Sequence, residues 1–353
     1  MNAKILSTDP GVDRISVGGS GNFLFTPYDE FLIHEIEVNG NFRAYAPVIF
    51  RGQRLVKVEK IEIGGGGSVI LDNDAQSTRA WTGVSEMPFH YVYVNGLLKA
   101  GKIINRYINE TDAGWNYLYI HNGSAVFEFE TDEPFLIETA DINGTFTSYK
   151  PVAMRAPTSI KRLTIFVGWA GHVTFDSESS QYIGPFLSNS SIYAENLVTD
   201  RWSMFQAANT HFDIDTVEIR GTLYAQPESK VEIRSFTITS TGTVNITIPI
   251  VLESNTLSVA GLLDVDFRRW PDNTNEGNVN SNILVTDSIT VSGTFQAGSL
   301  YIETNRMTVS GRLDISGGGY LNDKGPGKHF IVVLEFIVLY KMILFYLRNP
   351  YKK

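Results

Sequence analysis

Along most of the chain, apolar residues occupy every second position for short stretches, and each stretch is interrupted by a glycine. The pattern reads apolar, any, apolar, any, Gly, any, apolar, any, small or apolar. It occurs at Ile36–Ala44 around Gly40, Val92–Ala100 around Gly96 and Val217–Ala225 around Gly221. It returns at Leu257–Val265 around Gly261, Ile289–Ala297 around Gly293 and Met307–Ile315 around Gly311. Alternation at a period of two predicts strands with one buried face. A glycine inside such a strand predicts a bend where the backbone takes a positive φ.

The chain also repeats on a longer scale. Shifted by 104 residues, Gly19–Asp72 falls on Gly123–Asp176 without a gap, and 20 of the 54 aligned positions are identical. Phe31-Leu32-Ile33 meets Phe135-Leu136-Ile137, Asn39-Gly40 meets Asn143-Gly144, and Arg51 meets Arg155. Gly40, Gly66, Gly96, Gly123 and Gly144 lie 26, 30, 27 and 21 residues apart, so the unit divides into four rungs. Gly221, Gly242, Gly261, Gly293 and Gly311 follow at 21, 19, 32 and 18. Rungs of about 18–30 residues with variable loops predict an all-β parallel β-helix. A string of β-sandwiches would also give a 104-residue period. It gives no reason for rungs to continue after Val217, where that register is lost.

The expected organisation is therefore an irregular segment at 1–18, a first four-rung repeat at 19–122 and a second copy at 123–215. A shorter-rung solenoid follows at 216–320, then an apolar tail at 321–353. Excursions from the rungs are expected around Asp74–Pro88 and Phe267–Asn282; loops of this kind sit on one face of a solenoid and carry partners. The tail contains the apolar run Phe330–Leu347, interrupted by Glu335 and Lys341. Its length is the minimum for a membrane span, while the two charges offset most of the gain from insertion. A membrane anchor, a non-native coding end and a C-terminal helix capping the solenoid are the three readings.

With 43% hydrophobic and 19% charged residues the chain has enough apolar material for a core. A formal charge of −9 argues against a phosphate backbone as partner, so no nucleic acid is expected. The chain has no cysteine, which excludes disulfides, thiol catalysis and cysteine zinc sites. No basic start followed by an apolar run marks a signal peptide in the first residues.

Candidate chemistry is sparse. Asp264, Asp266 and Arg268 alternate with Leu263, Val265 and Phe267, placing two carboxylates about 7 Å apart on one face, a separation suited to general acid–base work on a glycosidic bond. Asp213 and Asp215 form a similar pair. The six histidines, His34, His90, His121, His172, His211 and His329, share no metal-ligand spacing. Gly64–Gly67 lacks the Lys-Ser/Thr and helix of a phosphate loop and reads as a turn. Asp72-Asn73-Asp74 opens like a calcium loop without its glycine or closing glutamate. No cofactor and no metal is expected. Asn109, Asn122, Asn143, Asn189 and Asn245 begin Asn-x-Ser/Thr sequons, which are glycosylation candidates outside the cell.

The Val-x-Gly-x-Leu rungs over Ile36–Ile315 resemble those of pectin-lyase-like β-helices and adhesin-type surface proteins. The end, from Val309-x-Gly311-x-Leu313 into Gly317-Gly318-Gly319-Tyr320 and Gly325-Pro326-Gly327, is similar to glycine-rich segments of large extracellular β-helical proteins of eukaryotes. The resemblance implies an extracellular or cell-surface solenoid with carbohydrate or other extracellular proteins as partners. Its pectin-cleaving members carry Asn-Thr-Asp, Asp-Asp, Gly-His-Gly and Arg-Ile-Lys signatures. Here stand only Gly171-His172-Val173 and Ser159-Ile160-Lys161, so no catalytic residue carries over. A non-catalytic structural or adhesive scaffold is the leading expectation. A polysaccharide hydrolase or lyase using Asp264 and Asp266 is the alternative.

Overall fold

The structure is a computed structural model. It describes residues 12–25, 30–52, 58–72, 83–105, 114–131, 133–149, 152–156, 163–175, 190–246, 251–265, 281–297, 300–314, 331–334 and 345–346. The described residues are strands, turns and bends, and the strands pair in parallel throughout except at the last one. The chain is a parallel β-helix that divides into two units, 1–208 and 209–353.

In the first unit one ladder runs through Val12–Val17, Phe31–Val38, Val58–Ile63, Phe89–Val94, Trp115–Ile120, Phe135–Ile142, Thr164–Val167 and Ser190–Thr199. A second runs through Asn22–Phe25, Asn41–Ala44, Ser68–Ile70, Leu97–Ile104, Val126–Glu130, Thr145–Ser148 and His172–Phe175 to the start of Met204–Ile219. Because parallel pairing keeps register, equivalent residues stack in columns, one side chain per rung. Ile36, Ile61, Val92, Leu118, Ala140, Ile165 and Leu197 form one inward column. Phe23, Phe42, Val69, Leu98, Phe127, Phe146, Val173 and Phe205 form another. Neighbouring rings in it lie 5.1 Å apart for Phe23–Phe42 and 5.5 Å for Phe127–Phe146. Burying each such side chain contributes about 1.5–3 kcal/mol.

The second unit has its own parallel stack, through Thr222–Ile238, Thr243–Ile246, Val251–Val259, Leu262–Val265, Ser281–Val291 and Thr294–Ala297. Its inward column reads Leu223, Val244, Leu263, Phe295 and Leu313.

The glycine of the rung motif turns out to do something other than expected. It lies at a corner between two strands of different ladders, as Asn39–Gly40 separates Phe31–Val38 from Asn41–Ala44. Gly40, Gly96, Gly144, Gly261, Gly293 and Gly311 do not take the left-handed φ. The reason for glycine is close approach: a Cβ on Gly40 would overlap the carbonyl oxygens of Gly18 and Gly21 in the turn below. Gly144 meets Asn122 and Ala125 in the same way, the residues 104 further on. In the Gly64–Gly67 turn, Gly67 N donates to Gly64 O at 2.8 Å. Only Gly64 and Gly67 are sterically required there, and these are the two that the copy Gly168-Trp169-Ala170-Gly171 keeps.

The loop expected around Asp74–Pro88 is shorter at its end, because Val84–Glu86 pairs with Lys102–Ile104. That expected at Phe267–Asn282 ends in strand Ser281–Val291. Where it is described, the tail is strand and not helix. Ile331–Leu334, rich in β-branched residues, adds in parallel to Leu300–Thr304, and Phe345–Tyr346 pairs with it antiparallel. No helix among the described residues is long and apolar enough to cross a membrane.

Candidate binding face

The first ladder of the first unit has one outward face, and two adjacent rungs make it aromatic. Val92 and Val94 point inward from Phe89–Val94, so Tyr91 and Tyr93 point outward; Leu118 and Ile120 do the same for Tyr117 and Tyr119. Tyr91 is in register with Tyr117 and Tyr93 with Tyr119, giving a two-by-two array of rings. Ring centroids are 6.3 Å apart for Tyr91–Tyr93 and for Tyr93–Tyr117, and 6.1 Å for Tyr117–Tyr119. Tyr91 is 39% exposed and the other three are half-buried. His121 extends the array, its ring 4.9 Å from that of Tyr119 and its Nδ1 2.6 Å from the Tyr119 hydroxyl.

Polar groups frame the array. On one side Lys60 and Glu62 stand in register with Tyr91 and Tyr93 and pair with each other at 3.3 Å. On the rung below these, Glu37 binds Arg14. On the other side Thr139 and Asp141 follow Tyr117 and Tyr119. The Tyr117 hydroxyl donates to Asp141 Oδ2 at 3.5 Å. Desolvation pushes the Asp141 carboxyl above its ordinary value, with the Tyr117 hydrogen bond and His121 acting against it. The Tyr117 hydroxyl is likewise raised, first by burial and then by Asp141. Along one edge His90 Nδ1 lies 2.8 Å from Asn116 Oδ1, whose Nδ2 donates to Glu138 at 2.6 Å. These bonds hold the edge still. The outcome is an outward face of closely spaced tyrosine rings, tilted 17–81° to one another, with hydroxyls and carboxylates at its rim.

The apolar alternation by itself does not single out these tyrosines. Their signal was there: His90-Tyr91-Val92-Tyr93 and Asn116-Tyr117-Leu118-Tyr119 put aromatics in the outward phase of successive rungs 26 residues apart.

The residues singled out from sequence fall elsewhere. Asp264 does face outward, as a link in the column Tyr224, Asn245, Asp264, Gln296 and Asp314, and Gln296 Nε2 donates to its Oδ2 at 2.7 Å. Asp266 and Arg268 lie outside the described residues. Asp213 is exposed, and Asp215 pairs with Arg234 at 3.1 Å. Burial lowers the pKa of His172; His329 lies outside the described residues. Among the described residues no three His, Asp or Glu side chains form a metal-holding group. Asp72 is buried in the left-handed region, at φ 57°, while Asn73 and Asp74 lie outside the described residues.

Of the sequons, Asn122 has its Oδ1 bonded by the amide and hydroxyl of Ser124, and its Nδ2 by Asn95. Asn143 Oδ1 accepts from Ala170 N. Asn245 stands in the outward column of the second unit, and Asn109 and Asn189 lie outside the described residues.

No family model matches the chain, and neither the curated proteins nor the solved structures contain a significant match. The fold assignment therefore stands on this chain's own pairing, and function must be argued from the face.

Proposed function

We propose that the chain is a non-catalytic, adhesive β-solenoid that works outside the cell or at its surface and holds carbohydrate on the tyrosine face. The observation that carries this reading is the two-by-two array of Tyr91, Tyr93, Tyr117 and Tyr119. Sugar rings present one face of C–H groups, which stacks on aromatic rings, and a rim of hydroxyls, which bonds to carboxylates, amides and tyrosine hydroxyls. An array of tyrosine rings with a polar rim suits that partner, since tyrosine supplies contact area at small entropic cost. The likeness to adhesin-type and pectin-lyase-like helices points the same way, toward polysaccharide at an exterior surface. The hydrolytic alternative has no comparable support, because Asp264 is engaged by Gln296 in a polar column.

The test is a glycan array probed with the wild-type chain and a Tyr93→Ala/Tyr119→Ala variant, with hydrolysis of each bound glycan followed alongside. Binding that falls at least tenfold in the variant, without turnover, is the expected result. Equal binding by both proteins removes the tyrosine face from the account.

A further inference from the structure

The aromatic character of this ladder does not end at Tyr119. Asp141 is followed in the same column by Phe166 and then Val198, both outward. The turns closing those two last rungs carry Trp169, 63% exposed, and Trp202, 66% exposed. Both belong to the turn edge that carries His121. The turn at Asn143–Gly144 is the tight one, so the wider turns on either side of it meet: a Cβ on Gly123 would lie 3.0 Å from Ala170 Cβ. His121 and Trp169 thus stand on touching turns. Arg201 covers one side of the Trp202 ring at 5.1 Å and holds that indole in place. Nothing in the packing of the solenoid calls for tryptophan at these tips: the position equivalent to Trp169 in the first copy is Gly65.

From Phe89–Val94 to Ser190–Thr199 there are four rung steps, about 19 Å at the usual strand spacing. That is too long for one or two sugar rings and suits a polymer. Glu37 is paired with Arg14 and Glu62 with Lys60, while Asp141 accepts from the Tyr117 hydroxyl, so the margins of the tyrosines offer an acidic chain no net positive charge.

Resting on the carbohydrate reading above, we infer that the site is a track for a linear, uncharged polysaccharide running along the solenoid axis, with the tyrosine array at one end and Trp169 and Trp202 at the other. The partner is then a chain of sugars and not a terminal residue, and the solenoid grips it over five rungs.

The probes are β-1,4-linked glucose oligosaccharides, a disaccharide and a hexasaccharide, with galacturonic acid oligosaccharides of the same lengths as acidic comparators. Affinities come from calorimetry on the full chain. The hexasaccharide of glucose is expected to bind at least tenfold more tightly than the disaccharide. Trp169→Ala/Trp202→Ala should remove about tenfold from the hexasaccharide and leave the disaccharide unchanged, since each lost aromatic stack is worth about 0.5–1.5 kcal/mol and tenfold is 1.4 kcal/mol. Both tryptophans are exposed, so the variant keeps its fold. Equal affinity for the two lengths, or a tryptophan variant that binds as the wild type does, overturns the track while leaving the tyrosine face standing. Acidic oligosaccharides binding as well as neutral ones overturn the uncharged partner. Failure of every oligosaccharide to bind overturns the carbohydrate reading and the track together.

Discussion

Two buried or half-buried acids show how single residues are fixed in this solenoid. Glu86 is almost fully buried and lies 2.6 Å from Arg51 Nη1, while Arg51 Nε reaches Glu30 at 3.4 Å. Arg51 is retained in the second copy as Arg155, so the guanidinium is part of the duplicated unit. Arg51→Ala leaves the Glu86 carboxylate buried without its counter-charge and is expected to cost about 3 kcal/mol, read from urea unfolding. Asp141 behaves differently. Its folded pKa is raised by desolvation, so the folded state holds the proton more firmly than the unfolded chain. Stability is therefore present at low pH and lost as pH rises from the ordinary value of 3.8 through the raised one. Thermal melts across that window should show Asp141→Asn losing less stability than the wild type. A wild type that gains stability over the same window contradicts the assignment.

At the scale of the element, the corner glycines decide whether rungs can stack. The sequence marked their positions correctly and their reason wrongly, because a lone motif shows where a strand is interrupted but not what lies beneath it. What lies beneath is the carbonyl of the previous turn. Gly144→Ala must push the Asn122 and Ala125 carbonyls away and is expected to cost about 3 kcal/mol. Gly66→Ala is the control. Its added carbon would sit 3.6 Å from Asn39 O, an ordinary contact, and its copy is already Ala170. Denaturant midpoints of the two variants should differ clearly; similar midpoints would mean the turns are not stacked this closely. A third feature of the element was invisible in one dimension. Ser85 and Ser190 hydroxyls accept the amides of Val48 and Val152 at 3.1 Å, bonds across 37 and 38 residues that only the coil brings together.

Within the first unit the strands pair rung to next rung, and the meeting of the Gly123 and Ala170 turns reaches only one rung further, so cohesion is short-ranged and unfolding of that unit should follow the one-dimensional behaviour of repeat proteins. Trp115 is fully buried in the first unit, with its Nε1 donating to Met87 O at 2.6 Å. Its fluorescence, isolated by comparison with a Trp115→Phe variant, reports that unit alone. In urea it is expected to change at a different midpoint from the far-ultraviolet circular dichroism of the whole chain. Coincident transitions would show that all rungs unfold as one body.

The alternation at Ile36–Ala44 and its five companions, with the 104-residue duplication, determined the class, the rung length and the inward residues. Parallel stacking needs only a repeated inward phase, and that phase is written in order along the chain. Tertiary structure alone decided the candidate site. Tyr91 and Tyr117 are 26 residues apart in sequence and become neighbours because two rungs lie in register. The same holds for Asp141 beside Tyr117 and for the turns of His121 and Trp169. The outward phase of a solenoid strand tolerates any polar or aromatic residue, so no single rung signals a surface. A face exists only when the register of successive rungs is known, and loop lengths of unequal size keep that register out of the sequence.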